Sequence, residues 1–264
     1  MSTKPAAGAG IPPALRSLLS RDSLIVATAL AAAALLAWAW LVRSATGSGG
    51  MAGMAMGPPP LSLAYLLPAF AMWAIMMVAM MVPSAAPIIL LHARIDRAPT
   101  SRQRALHSAL FITAYLVVWA AFAALAALAQ ALLVQSGLVR EMELAVGNRA
   151  VAAGLLVLAA AYEMTAAKRL CLDKCQSPLL FIMKYWKPGA AGAVRLGLAH
   201  GLFCVGCCWA LMLLLFVGGV MNLAWVAVLG IVVLGEKLAP PSWRAERWTA
   251  GALALGAVAV LTLP

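Results

Sequence analysis

The chain has 264 residues, of which 65% are hydrophobic and 10% charged, with a net charge of +11 and a mean hydropathy of +0.98. So few charges cannot cover a water-soluble surface, where charged residues make up about 25%, and the composition equally excludes collagen-like, disordered and disulfide-framework chains. The positive charge does not point to a nucleic-acid partner, because membrane proteins gather Lys and Arg in their cytoplasmic loops.

In chain order, residues 1–22 read as a cytoplasmic N-terminal tail, followed over 23–264 by a transmembrane helical domain. Seven apolar segments run over Leu24–Val42, Leu61–Leu91, Ala105–Val134, Ala150–Ala167, Leu196–Val217, Leu223–Leu234 and Thr249–Leu263. Their length and lack of alternation predict an all-α, polytopic transmembrane bundle of about seven spans in a lipid bilayer, not a β-barrel. The first segment reads as an uncleaved span. Its apolar core exceeds that of a signal peptide, and it carries Trp38 and Trp40.

The loop over 43–60 contains Met51, Met54 and Met56 in a Gly-rich run that ends in three prolines. It is predicted to be external and to form no core. In the second segment Met72, Met76 and Met80 recur every four residues, as do Met77 and Met81. Such a stripe is a ladder of soft thioether ligands or an adaptable core filler. Pro83 and Pro87 are expected to kink or break that helix. His92 and His107 flank a basic stretch and read as interfacial. Glu163 lies near the cytoplasmic end of the fourth segment, within reach of Lys168 or His200. Its alternative reading is a side chain that snorkels to the interface.

All five cysteines fall within residues 171–208. Cys171 and Cys175 lie in a predicted cytoplasmic loop over 168–195, with Asp173 between them as a weak ligand candidate. Their odd number and their cytoplasmic or intramembrane setting argue against structural disulfides. The fifth segment carries His200, Cys204, Cys207 and Cys208 at helical spacings of three and four, and Met212 extends the line by a turn. Imidazole with thiolate and thioether sulfur favours Cu(I), with Zn(II) as the other candidate. The alternative for each cysteine is a small apolar packing residue. Glu236 and Lys237 end the sixth segment and read as an interfacial pair.

Drawn on seven spans, 16 of the 19 Lys and Arg fall on one side, leaving Arg43, Arg140 and Arg149 on the other. That asymmetry predicts a cytoplasmic N-terminus.

The pieces Ala79-Met-Met-Val-Pro-Ser84, Cys171-Leu-Asp-Lys-Cys-Gln-Ser-Pro178, Gly197-Leu-Ala-His-Gly-Leu-Phe-Cys-Val-Gly-Cys-Cys-Trp209 and the stretch Leu211–Trp225 resemble one bacterial family. It is the domain of unknown function 2182, a group of predicted metal-binding integral membrane proteins, and the similarity covers roughly residues 65–240. Gln176 stands where the pattern has Arg. The resemblance implies metal binding at the Cys and His positions in a multi-pass protein of the bacterial cytoplasmic (inner) membrane.

The leading expectation is therefore copper(I) handling, as a transporter or membrane chaperone. Met51, Met54 and Met56 would collect the ion. Met72, Met76, Met77, Met80 and Met81 would pass it on. His200, Cys204, Cys207 and Cys208 would hold it, with Met212 and Glu163 as secondary ligands. Cys171 and Cys175 would exchange it with a metallochaperone or metalloenzyme client. No catalytic residue is assigned, no oligomeric state is read from the sequence, and no nucleotide-binding signature supports ATP-driven transport. A membrane thiol-disulfide oxidoreductase using Cys204 and Cys207 is the second expectation. A non-catalytic assembly or scaffold subunit is the third.

Overall fold

The structure is a computed structural model that describes residues 21–46, 59, 61–140 and 144–262. Met51, Met54 and Met56, and most of the N-terminal tail, lie outside the described residues. The elements are α1 (Arg21–Thr46), α2 (Leu63–Ile95), α3 (Ser101–Gln135), α4 (Arg149–Glu163), α5 (Ala166–Gln176), α6 (Pro178–Tyr185), α7 (Gly189–Leu213), the short α8 (Leu215–Gly218), α9 (Leu223–Leu238) and α10 (Ala245–Thr262). A two-stranded antiparallel hairpin, β1 (Val139–Arg140) and β2 (Ala145–Val146), joins α3 to α4.

The helix starts are written in polar residues. Ser62, Thr100, Asn148, Thr165 and Asn222 each accept a backbone N–H of the first turn of α2, α3, α4, α5 and α9 through a side-chain oxygen. Thr165 acts twice: it caps α5, and its hydroxyl donates to the Tyr162 carbonyl at 2.7 Å. It therefore closes α4 as it opens α5, and the two helices meet at a bend of 66°.

A helix lies at each of the seven expected apolar segments, but seven spans are not established. Among the described residues, four helical segments are long and apolar enough to cross a membrane: Ser23–Thr46, Leu63–Ile95, Ser101–Gln135 and Gly189–Gly218. The bent pair of α4 and α5 would be a fifth. α4 has 15 residues and α9 has 16, short of the roughly 20 that span a bilayer.

Two expectations are corrected. The stretch 168–195 is not a loop: α5, α6 and the first turns of α7 occupy most of it. α5 is polar on average, so no apolar run announces it, yet Lys168, Leu172 and Cys175 are buried. Of the kink or break expected at Pro83 and Pro87, the break does not occur: α2 runs on as one 33-residue helix through them. Each proline removes one backbone donor, and the remaining bonds carry the helix on.

α3 packs between α2 and α7, α1 lies on α2, α10 lies on α4, and α5 packs on α7. The α3–α7 contact is close because α7 offers glycines. A Cβ at Gly197 would collide with the Phe111 carbonyl oxygen, and one at Gly201 would lie 2.9 Å from Val118. Leu36, Leu67, Leu125, Ile231 and Leu255 face outward, whereas Gln130, Glu163, Lys168, His200, Glu236 and Lys237 are buried. Apolar residues outside and ionisable residues inside suit a lipid surround.

Candidate functional site

Depth can be read from the helices. A cavity of about 820 Å³ is lined by Asp96 and Arg97 after α2, by Gln103 and His107 in the first turns of α3, by Trp186 after α6 and by Gly189 at the start of α7. The end of α2 and the starts of α3 and α7 therefore share one face of the bundle, and His107 Nδ1 meets Asp96 Oδ2 there at 2.7 Å. Counting inward at 1.5 Å per residue, Ser84, Tyr115 and Cys204 lie roughly 16–22 Å from that face. They form one level of the interior, deep within the bundle.

Cys204 is the centre of that level. Lys237 Nζ donates to its sulfur at 2.9 Å and to Ser84 Oγ at 2.9 Å. Tyr115 Oη lies 3.1 Å from the same sulfur and donates to the Met81 carbonyl at 3.2 Å. The Ser84 hydroxyl donates to that carbonyl at 2.9 Å. Helices α2, α3, α7 and α9 thus meet through side chains of four different kinds. What joins α2 to the cysteines is the Met81 carbonyl and the Ser84 hydroxyl.

The other cysteines surround this point. The thiols of Cys207 and Cys208 donate to the Cys204 carbonyl at 3.1 and 2.9 Å. Cys175 Sγ approaches Cys207 Sγ to 3.9 Å across the α5–α7 contact. Cys171, half-buried, lies against Gly206, where a Cβ would come within 2.8 Å of its sulfur. The Tyr162 hydroxyl donates to the Gly206 carbonyl, tying α4 to the same turn. All five cysteines are free.

His200 stacks on Tyr115 with ring centroids 5.6 Å apart and meets Phe181 edge-on at 5.5 Å. Its Nδ1 is buried without a hydrogen-bond partner. His92 is not exposed at the end of α2. It is buried between Phe111 and Trp186, with centroids 5.2 and 5.5 Å away, and its Nδ1 also has no partner. A file of rings therefore runs from the cavity wall at Trp186 through His92, Phe111 and His200 to Tyr115.

Met72, Met76, Met77, Met80 and Met81 are all buried on α2, and Met212 is buried on α7. Met80 packs toward Gly230 of α9, its Cγ 3.5 Å from where a Cβ there would sit. Glu163 belongs to a separate ionic group: Lys168 Nζ donates at 2.7 Å to Glu163 Oε1 and at 2.7 Å to Glu236 Oε2. Glu236 and Lys237 are therefore not paired with each other. They are buried and face different partners. Gln176 Nε2 donates to the Glu236 carbonyl at 2.7 Å and so fixes the end of α9.

Among the described residues no three His, Cys, Asp or Glu side chains converge on one point as a metal site. One pair of sulfurs does meet, Cys175 and Cys207, and the fit to a metal is tested on that pair. With metal–sulfur bonds of about 2.3 Å, two sulfurs on one ion stand about 3.8 Å apart in tetrahedral and about 4.0 Å apart in trigonal geometry. The Cys175–Cys207 separation of 3.9 Å falls between these values. Sequence reasoning missed Tyr115, Ser84 and Lys237. The first two are lone hydroxyls in apolar runs, and the third looks like any lysine at a helix end.

A family model described as PpoB2, copper chaperone, matches residues 70–260, and the chain belongs to that family. The family is metal-related, as the resemblance to the domain of unknown function 2182 implied, but it is not that domain by name. No curated protein and no solved structure matches the chain.

Proposed function

We propose that this member of the PpoB2 copper chaperone family holds Cu(I) inside a membrane and passes it to a client, as a membrane chaperone or transporter. Family membership supports copper, and the long apolar helices support a multi-pass protein of the bacterial cytoplasmic membrane. The observation that carries the site is the ligand-like separation of Cys175 and Cys207, with Cys204 one helical turn away on α7.

Cys175, Cys204 and Cys207 are the primary ligands. To bind, Cys207 rotates its thiol off the Cys204 carbonyl, a change of one side-chain torsion, and its proton is released to solvent as the metal–sulfur bond forms. His200 Nδ1 and Cys208 complete the shell, and Cys171 receives the ion at the outer edge of the α5–α7 contact. Met76, Met77, Met80 and Met81, with Met72 and Met212, provide weaker thioether stations. Met51, Met54 and Met56 collect the ion outside. Glu163 is committed to Lys168 and has a structural part. Soft sulfur in a dry interior favours Cu(I) over Zn(II). A soluble metallochaperone or a metalloenzyme is the client.

The test is metal content by mass spectrometry of the protein purified in detergent, loaded with Cu(I) or Zn(II) under reducing conditions. About one Cu(I) per chain in the wild type, lost in Cys204→Ser/Cys207→Ser, is expected. Equal copper in both, or none in either, overturns the reading.

The same sulfur pair favours one alternative, thiol-disulfide exchange. Its partners would be Cys175 and Cys207 and not the sequence-adjacent Cys204 and Cys207, because Cys207 already faces Cys175. A reversible Cys175–Cys207 disulfide coupled to a thiol substrate, with no retained metal, is the result that would select it.

A further inference from the structure

Lys237 is used by neither the family description nor the ligand set, yet it makes the shortest contact to the central sulfur. We propose that Lys237 is the counter-cation of Cys204, which a metal ion must displace and whose charge selects a monovalent ion over a divalent one. This inference rests on the metal-binding reading of Cys204.

The geometry sets the two cations against each other. Lys237 Nζ stands 2.9 Å from Cys204 Sγ, and a metal bound to that sulfur at about 2.3 Å would meet the ammonium at close range. An ammonium and a metal ion on one sulfur repel each other in a dry interior, where like charges are little screened. The backbone of α9 cannot move away, because Gln176 holds the Glu236 carbonyl and Lys168 holds the Glu236 carboxylate. The lysine side chain can withdraw. It is a compact charge on a four-carbon flexible stem, and Ser84 Oγ at 2.9 Å is a second acceptor that it can keep. In the exchange one metal–sulfur bond forms and one N–H···S contact breaks. No electron changes hands, and the ammonium retains its protons.

Selectivity follows from charge. The ammonium stays close to the ion that has displaced it, so its repulsion acts on every bound metal. That repulsion scales with the metal's charge and is twice as large for Zn(II) as for Cu(I) at the same place. A buried lysine therefore penalises both ions and penalises the divalent one more. Soft ligands favour copper by bonding, and Lys237 favours it again by electrostatics.

The experiment measures Cu(I) and Zn(II) affinities by chelator competition for the full-length protein in detergent. Wild type, Lys237→Met, Lys237→Gln, Lys237→Arg and Cys204→Ser/Cys207→Ser are compared. Removing the charge is expected to tighten Cu(I) about tenfold and Zn(II) about a hundredfold, since doubling the ionic charge doubles the logarithm of the change. Lys237→Arg, which keeps the charge, is expected to stay within about threefold of wild type for both ions. Gln retains an amide donor for Ser84 and Cys204, so either neutral variant can be read if the other fails to fold. Unchanged or weakened affinities in the folded neutral variants, or equal changes for the two ions, overturn the proposal. So does a case in which only the charged Lys237→Arg folds, since the charge is then structural. Failure of the metal-binding reading looks different: the wild type binds neither ion, or the double cysteine variant binds like wild type.

Discussion

Cys175 Sγ lies 3.9 Å from Cys207 Sγ, across the contact between α5 and α7. Closing that gap to a disulfide length of about 2.05 Å needs only a small shift of two side chains. Mild oxidation of the metal-free protein is therefore expected to yield a Cys175–Cys207 disulfide before any other, read by peptide mapping. A dominant Cys204–Cys207 or Cys171–Cys175 bridge would contradict this geometry.

The same contact ranks the two cysteines of α5. Cys175 is buried against Cys207, whereas Cys171 is half-buried against Gly206. Cys175→Ser is expected to weaken Cu(I) binding by about tenfold, or 1.4 kcal/mol, and Cys171→Ser by much less. Chelator competition on the two variants decides it, and the reverse order would move the site toward the outer edge.

The ionic group of Glu163, Lys168 and Glu236 is buried and joined by two bonds of 2.7 Å. Removing the lysine leaves two carboxylates facing each other without a cation. Lys168→Met is expected to destabilise the protein by about 3–5 kcal/mol, the usual effect of breaking a buried pair. Thermal unfolding in detergent measures it. The triple variant Lys168→Met/Glu163→Gln/Glu236→Gln should recover most of the loss, and no recovery would mean that Lys168 acts through packing alone.

Glycine positions separate packing from propensity. At Gly197 a methyl group would collide with the Phe111 backbone, and Gly197→Ala is expected to destabilise by about 1–3 kcal/mol as α3 and α7 are pushed apart. At Gly154, inside α4, an added Cβ meets nothing within 4 Å. Gly154→Ala should be neutral or stabilise by up to about 1 kcal/mol through helix propensity. Unfolding temperatures of the two variants give the comparison directly.

Gln130 bridges two aromatic residues: it accepts from Trp73 Nε1 at 2.8 Å and donates to Tyr65 Oη at 2.9 Å. Gln130→Leu orphans both buried groups and is expected to destabilise by about 1–3 kcal/mol. A matched Gln130→Leu/Trp73→Phe/Tyr65→Phe variant should be less affected than the single change, which thermal unfolding can show.

The apolar runs of the sequence were enough to place a helix at every expected segment, because such a run is visible wherever a helix is apolar all round. They could not show which helices stop short, since length in sequence does not reveal the bend at Thr165. Nor could they reveal α5. Its polar residues alternate with a buried stripe of Lys168, Leu172 and Cys175, and a buried lysine reads as surface until its two carboxylates are seen. The His–Cys spacing on α7 was legible from helical periodicity alone. The partners of Cys204 were not, because Ser84, Tyr115 and Lys237 come from three other helices and are brought to it by tertiary packing.

Glu236 and Lys237 are neighbours in sequence with opposite charges and different partners, one held by Lys168 and the other holding Cys204 and Ser84. A slip of α9 by one residue would set a carboxylate against the central sulfur, or a lysine against Lys168. Every such error places like charges together or leaves a buried ion alone. The pair thus works as a key that admits α9 in one register only. A deletion or insertion between Asn222 and Glu236 should then be rejected at bundle assembly, before metal binding is ever tested.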